Sequence, residues 1–121
     1  MDLPKTLPAK TAPIVRAAIR SVREVSPEAT EIPYKMAQPR STSMMWKLVR
    51  YAVDGDNVVG IGTFSQHAAM FFYRGRELDS GKVVLQGTGK DTRFIRLRTA
   101  ADASSAPVRS LLRQAFRLSG T

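Results

Sequence analysis

The 121-residue sequence predicts an α+β fold, a two-layer sandwich in which an antiparallel sheet of about five strands carries N- and C-terminal helices on one face. Three observations predict it. Apolar residues recur with helical spacing near the two ends of the chain, from Ile14 to Val22 and from Val108 to Leu118. The span between them reads as strands joined mostly by short turns, and links of hairpin length join antiparallel neighbours. Each helix has one apolar stripe that must be covered, and the simplest packing lays both stripes on one sheet face.

Residues 1–12 carry Pro4, Lys5, Pro8 and Lys10 without periodicity and read as a mobile arm, leaving 13–121 as a single domain. Pro13 suits the first turn of a helix. Ile14, Val15, Ala18, Ile19 and Val22 then share one helical face, and Arg16, Arg20 and Arg23 fall on the other. Pro27 ends or kinks this helix, and Ser26 offers a cap for a short further turn. Pro33 and Pro39 frame an extended passage, and residues 40–43 read as loop. Trp46 to Val53 is a strand, Asp54-Gly55-Asp56-Asn57 a hairpin turn, and Val58 to Phe64 the return strand. Gly60 and Gly62 share a face of that strand, which implies close approach by another element. After Ser65-Gln66, the strand His67 to Tyr73 is apolar on both faces, which places it centrally or puts a partner over its second face. Arg74-Gly75-Arg76 opens a loop. Val83-Val84-Leu85 is apolar, the chain breaks at Gly87-Thr88-Gly89-Lys90, and Thr92 to Arg98 alternates as a strand. Asp102, Ser104 and Ser105 are capping candidates for a last helix. Its apolar stripe is Val108, Leu111, Leu112, Ala115, Phe116 and Leu118, with Arg109, Arg113 and Arg117 on the polar side.

The formal charge is +9, from 19 Lys and Arg against 10 Asp and Glu. Such an excess attracts anions over long range, or simply provides solubility. Cysteine is absent, which removes disulfides, thiolate metal ligands and a cysteine nucleophile together. The single histidine, His67, excludes a zinc site built on paired histidines. No apolar run approaches the ~20 residues needed to cross a bilayer. The first residues lack the apolar core of a signal peptide, so a soluble cytoplasmic protein without a cofactor is expected.

Gly87-Thr88-Gly89-Lys90 invites a phosphate-loop reading, but three requirements fail. Val84 stands where the first glycine belongs, Asp91 follows the lysine, and the next element alternates like a strand rather than a helix. A turn in which glycine takes positive φ explains the segment. In the strand after it, Ile95 and Leu97 face the core, which puts Arg93 on the same side near the turn. A guanidinium there needs an anionic or carbonyl partner, either a carboxylate such as Glu31 or a ligand anion.

Pro27 to Met36, His67 to Leu78, and Leu85 to Lys90 with Arg93 to Leu97 together resemble the YdhG-like family, small bacterial domains of unknown function. The resemblance spans most of residues 13–118. It implies a frataxin-like fold, with terminal helices against an antiparallel sheet, and iron binding or delivery as one function. Iron needs hard oxygen or imidazole ligands. The first helix here instead presents Arg16, Arg20 and Arg23, and Pro27 separates Glu24 from Glu28 and Glu31.

No catalytic group stands out. His67 lacks a readable nucleophile partner, Asp54 and Asp56 belong to a turn, and Glu77 and Asp79 to a loop. A non-enzymatic binding module is expected, and two sites are candidates. One is a basic helical face of Arg16, Arg20, Arg23, Arg109, Arg113 and Arg117, suited to an acidic protein or a nucleic-acid backbone. The other is an anion pocket of Tyr34, Arg74, Lys90 and Arg93 near the glycine turn. Homodimerisation over Phe71 and Tyr73 is compatible with either.

Overall fold

The computed structural model describes residues 2–119; the last two residues of the expected domain, 120 and 121, lie outside them. Helix α1 (Ala12–Val25) is followed by strands β1 (Thr30–Pro33), β2 (Trp46–Val53), β3 (Asp56–Thr63), β4 (Ala68–Phe72) and β5 (Arg93–Leu97), then by helices α2 (Ala100–Ala103) and α3 (Ala106–Ser119). The five strands form one sheet in the order β1-β2-β3-β4-β5, every neighbour antiparallel. α1 and α3 touch each other and both rest on β3, so they cover the same sheet face. The α+β sandwich is therefore as expected.

The apolar stripes explain this layer. Ile14, Val15, Ala18, Ile19 and Val22 of α1 are buried, as are Val108, Leu111, Leu112 and Ala115 of α3. They meet the sheet row Val49–Ile61–Met70–Ile95, whose members are register partners across β2 to β5 and all buried. Ser21 donates to the Ala103 carbonyl oxygen at 2.8 Å inside the core, tying α1 to α2. Leu3 and Leu7, from the stretch read as an arm, also pack against this core.

The β2–β3 hairpin closes on Asp54 and Gly55, both at positive φ (51° and 85°). That pair of left-handed residues is the tight hairpin turn whose twist matches the strands it joins. The turn is thus two residues long, and Asp56 and Asn57 already belong to β3.

Strand membership differs from expectation at both ends of the sheet. A turn follows Ser26 at Pro27 and Glu28, and Thr30–Pro33 after it is an edge strand paired with β2. An edge is where a short strand ending in proline fits, since one side of its backbone needs no ladder partner. Val83-Val84-Leu85 is not a strand: Val84 is 72% exposed, and the segment's pairing is the single bridge Gln86–Phe94. A short 3-10 turn, Gly75–Glu77, replaces the start of the expected loop. It lies so close to β5 that a Cβ on Gly75 would sit 2.7 Å from the Arg93 backbone nitrogen. Finally, Thr99 and Asp102 form a reciprocal capping box on α2, a helix the apolar pattern is too short to reveal.

Candidate functional site

The four residues of the expected anion pocket find separate neighbours. Arg74 forms an ion pair with Glu77 (2.6 and 2.8 Å) and donates to the Leu118 carbonyl at 3.0 Å. Arg93 donates to the carbonyls of Gly89 (2.6 Å) and Thr92 (2.8 Å). Its partner is therefore the glycine turn itself and not Glu31, because the turn folds back within reach of the guanidinium. Lys90 is exposed on the same turn. The Tyr34 hydroxyl meets the hydroxyl of Tyr73. Arg74 does line a cavity of about 430 Å³, with Asp56, Phe72, Leu78 and Ala115, but Tyr34, Lys90 and Arg93 do not.

The helical ridge is partly neutralised. Arg23 holds Glu31 with two bonds, Nη2 to Oε1 at 2.8 Å and Nε to Oε2 at 3.0 Å. Arg109 reaches Glu24 on α1 at 2.7 Å. Arg16, Arg20, Arg113 and Arg117 remain exposed. Glu31 also accepts from the buried Tyr51 hydroxyl at 2.8 Å. The Arg23 bond holds the Glu31 carboxyl below its ordinary range against the opposing effect of burial, while burial pushes the Tyr51 phenol up.

The sheet face away from the helices carries a different chemistry. Its register rows are Arg50–Gly60–Phe71–Phe94 and Lys47–Gly62–Ala69–Arg96. Gly60 lets the Phe71 ring lie across the backbone: a Cβ there would be 2.1 Å from Phe71 Cζ. Gly62 accommodates the Met45 side chain in the same way. The close approach implied by the two glycines is thus made by side chains of the face itself. Two aromatic groups stand on this floor. Tyr34 and Tyr73 flank Phe71, with ring centroids 6.3 and 5.8 Å away. Phe64 stacks on His67 at 4.7 Å and leans toward Phe94 at 6.5 Å. Phe71 is 3% exposed, whereas Tyr34, Tyr73, Phe64 and Phe94 are partly exposed.

Cations are interleaved with the rings. Arg50 stands 5.3 Å from the Tyr34 centroid, and the Lys47 ammonium 5.4 Å from that of Phe71. Arg96 stands 5.3 Å from Phe64 and 5.6 Å from Phe94. Their other partners are neutral. Arg50 bonds to the Asn57 amide oxygen at 3.1 Å, and Arg96 bonds to that of Gln86 at 3.2 Å and to His67 Nε2. The ion pairs among the described residues, Arg23–Glu31, Arg74–Glu77, Arg76–Asp91 and Arg109–Glu24, leave all three out. Burial first, then Arg96, Arg98 and Lys10, lower the His67 pKa, as suits a ring nitrogen that accepts from a guanidinium. A part-exposed cation–π contact contributes about 0.5–1 kcal/mol. A hydrogen bond to a charged group contributes about 1.5–3 kcal/mol.

This face was half visible in the sequence. The two glycines and the two-sided apolar strand marked it, but its cations lie on β2 and β5, and only register joins them. Among the described residues no three acidic or imidazole side chains converge as a metal site, and no helix is long and apolar enough to cross a membrane. No family model, curated protein or solved structure matches the chain. Fold and face together define an α+β module with one sheet face under helices and the other, its floor buried by side chains, presenting partly exposed rings and cations.

Proposed function

We propose that the protein is a non-enzymatic binding module for an anionic partner, and that the open sheet face is the surface that receives it. One observation carries this reading: Lys47, Arg50 and Arg96 are held against rings and neutral groups, with no carboxylate among the described residues to satisfy them. The helical ridge is the weaker candidate, because Arg23 and Arg109 are already engaged by Glu31 and Glu24. The ring of His67, the single imidazole, is turned to Arg96 and Phe64, and among the described residues no hydroxyl bonds to that ring; the Thr63 hydroxyl reaches only the His67 backbone carbonyl. Homodimerisation across the open face is disfavoured by charge. A two-fold contact sets the same patch against itself, and here like charges would meet.

Salt elution from immobilised heparin tests the site. The variants Lys47→Ala/Arg50→Ala and Arg16→Ala/Arg113→Ala each remove two positive charges, one pair from each side of the molecule. The sheet-face variant should elute at clearly lower salt, and the ridge variant close to wild type. Equal shifts, or wild-type protein that passes through at low salt, refute the assignment.

A further inference from the structure

The geometry points to single-stranded nucleic acid as the partner of the open sheet face, an inference that rests on the anion-binding reading above. An acidic peptide or a sulfated polymer would use only the cations. The face offers a second feature that those partners leave unused. Tyr34 and Tyr73 at one side, and Phe64 and Phe94 at the other, are partly exposed rings beside a floor where Phe71 lies over Gly60 and Met45 over Gly62. Cations stand over three of those rings, Tyr34, Phe64 and Phe94, at 5.3–5.9 Å. A single strand presents this combination in reverse: unpaired base faces to stack, with a phosphate close to each base. A duplex hides its base faces within the stack, so the rings would contribute nothing to it. No acidic residue occupies the rows Arg50–Gly60–Phe71–Phe94 and Lys47–Gly62–Ala69–Arg96, and the carboxylate of β1, Glu31, is paired with Arg23 of α1. Nothing on these rows repels a polyanion.

The test is fluorescence anisotropy with the full chain and labelled oligonucleotides of about 12 nucleotides, within the site sizes of single-strand binders. Four probes are used: single-stranded DNA, single-stranded RNA of the same sequence, the matching DNA duplex, and heparin as competitor. Wild type should bind at least one single strand about tenfold or more tighter than the duplex. Tyr34→Leu and Phe94→Leu, which keep apolar bulk and remove the ring, should each weaken single-strand binding about fivefold or more while leaving heparin elution unchanged. Lys47→Ala/Arg50→Ala should lower the salt slope of single-strand binding by about 1.4, the value for two phosphate contacts on a single strand. Circular dichroism checks that each variant is folded, and Tyr34→Leu, near the sheet edge, serves if Phe94→Leu is not. Duplex bound as tightly as single strands, or ring variants that bind single strands like wild type, overturn the stacking inference and leave the anion-binding module standing. No binding of any polyanion at low salt overturns both. The DNA and RNA arms show which strand is preferred.

Discussion

Glu31 is the joint between the sheet's first edge and the helix layer, and replacing it separates two contributions. Its carboxylate accepts from Arg23 on α1 and from the Tyr51 hydroxyl on β2. The Arg23 side chain is 55% exposed, so that ion pair is screened and contributes about 0.5 kcal/mol. Tyr51 is 1% exposed, and stranding its hydroxyl costs about 1–3 kcal/mol. Glu31→Leu should therefore lose roughly 2 kcal/mol, a fall in Tm of about 8 °C for a chain of this size. Glu31→Gln keeps an acceptor for Tyr51 and should lose about 0.5–1 kcal/mol. In Tyr51→Phe the stranded hydroxyl no longer exists, so adding Glu31→Leu to it should cost only the ion pair, leaving a coupling of about 1 kcal/mol or more. The pH dependence has a definite sign. The folded carboxyl lies below its ordinary 4.5, so its contribution is complete above that pH and is lost as pH falls through the lower folded value. The gap between wild type and Glu31→Gln should close in acid. Urea denaturation across pH measures all of this. Additive single and double variants at pH 7, within about 0.3–0.5 kcal/mol, refute the reasoning.

Gly60→Ala drives a methyl into the Phe71 ring, 2.1 Å from Cζ, and should cost about 1–3 kcal/mol by overpacking. That loss should shrink in a Phe71→Leu background, as read by thermal unfolding. Ser21→Ala strands the buried Ala103 carbonyl and should cost about 1–2 kcal/mol in urea titration, with little effect on heparin elution. His67 has a folded pKa below 6.5, so its neutral form favours folding. Its contribution is present above pH 6.5 and is lost as pH falls through the folded value. The wild-type Tm should therefore drop with pH in that region, and His67→Gln, which keeps an acceptor for Arg96 without titrating, should flatten the drop.

Elements whose signal repeats within themselves were legible in the sequence. The stripes of α1 and α3 recur over three turns and more, and Asp54-Gly55 demands a particular backbone, so layer and hairpin followed from local chemistry. What escaped depends on partners far along the chain. Thr30–Pro33 is too short for periodicity and is a strand because β2 supplies hydrogen bonds along one side. Val83-Val84-Leu85 has strand composition, yet the folded-back turn that satisfies Arg93 leaves room for only the Gln86–Phe94 bridge. Arg93 itself shows the limit of face assignment. Alternation places its Cα beside Ile95 and Leu97, but a long side chain at a strand end swings to nearby carbonyls and needs no carboxylate.

Acidic residues decide between the two sides of the molecule more than basic ones do. A net charge of +9 supplies cations everywhere, so counting arginines on α1 and α3 selects no surface. Glu24 and Glu31 sit at the end of α1 and on the edge strand beside it, where they stitch helix to helix and helix to sheet. Those carboxylates engage arginines of the ridge at exposed sites, where each pair contributes about 0–1 kcal/mol. On the open face, glycine and alanine alternate with rings, leaving no position for a carboxylate among Gly60, Gly62, Ala69, Phe71 and Phe94. Rings and neutral hydrogen-bond acceptors, not ion pairs, keep Lys47, Arg50 and Arg96 in place there. Because none of these contacts neutralises a cation, the side whose cations were least conspicuous in the sequence is the one the proposed function assigns to an anionic ligand.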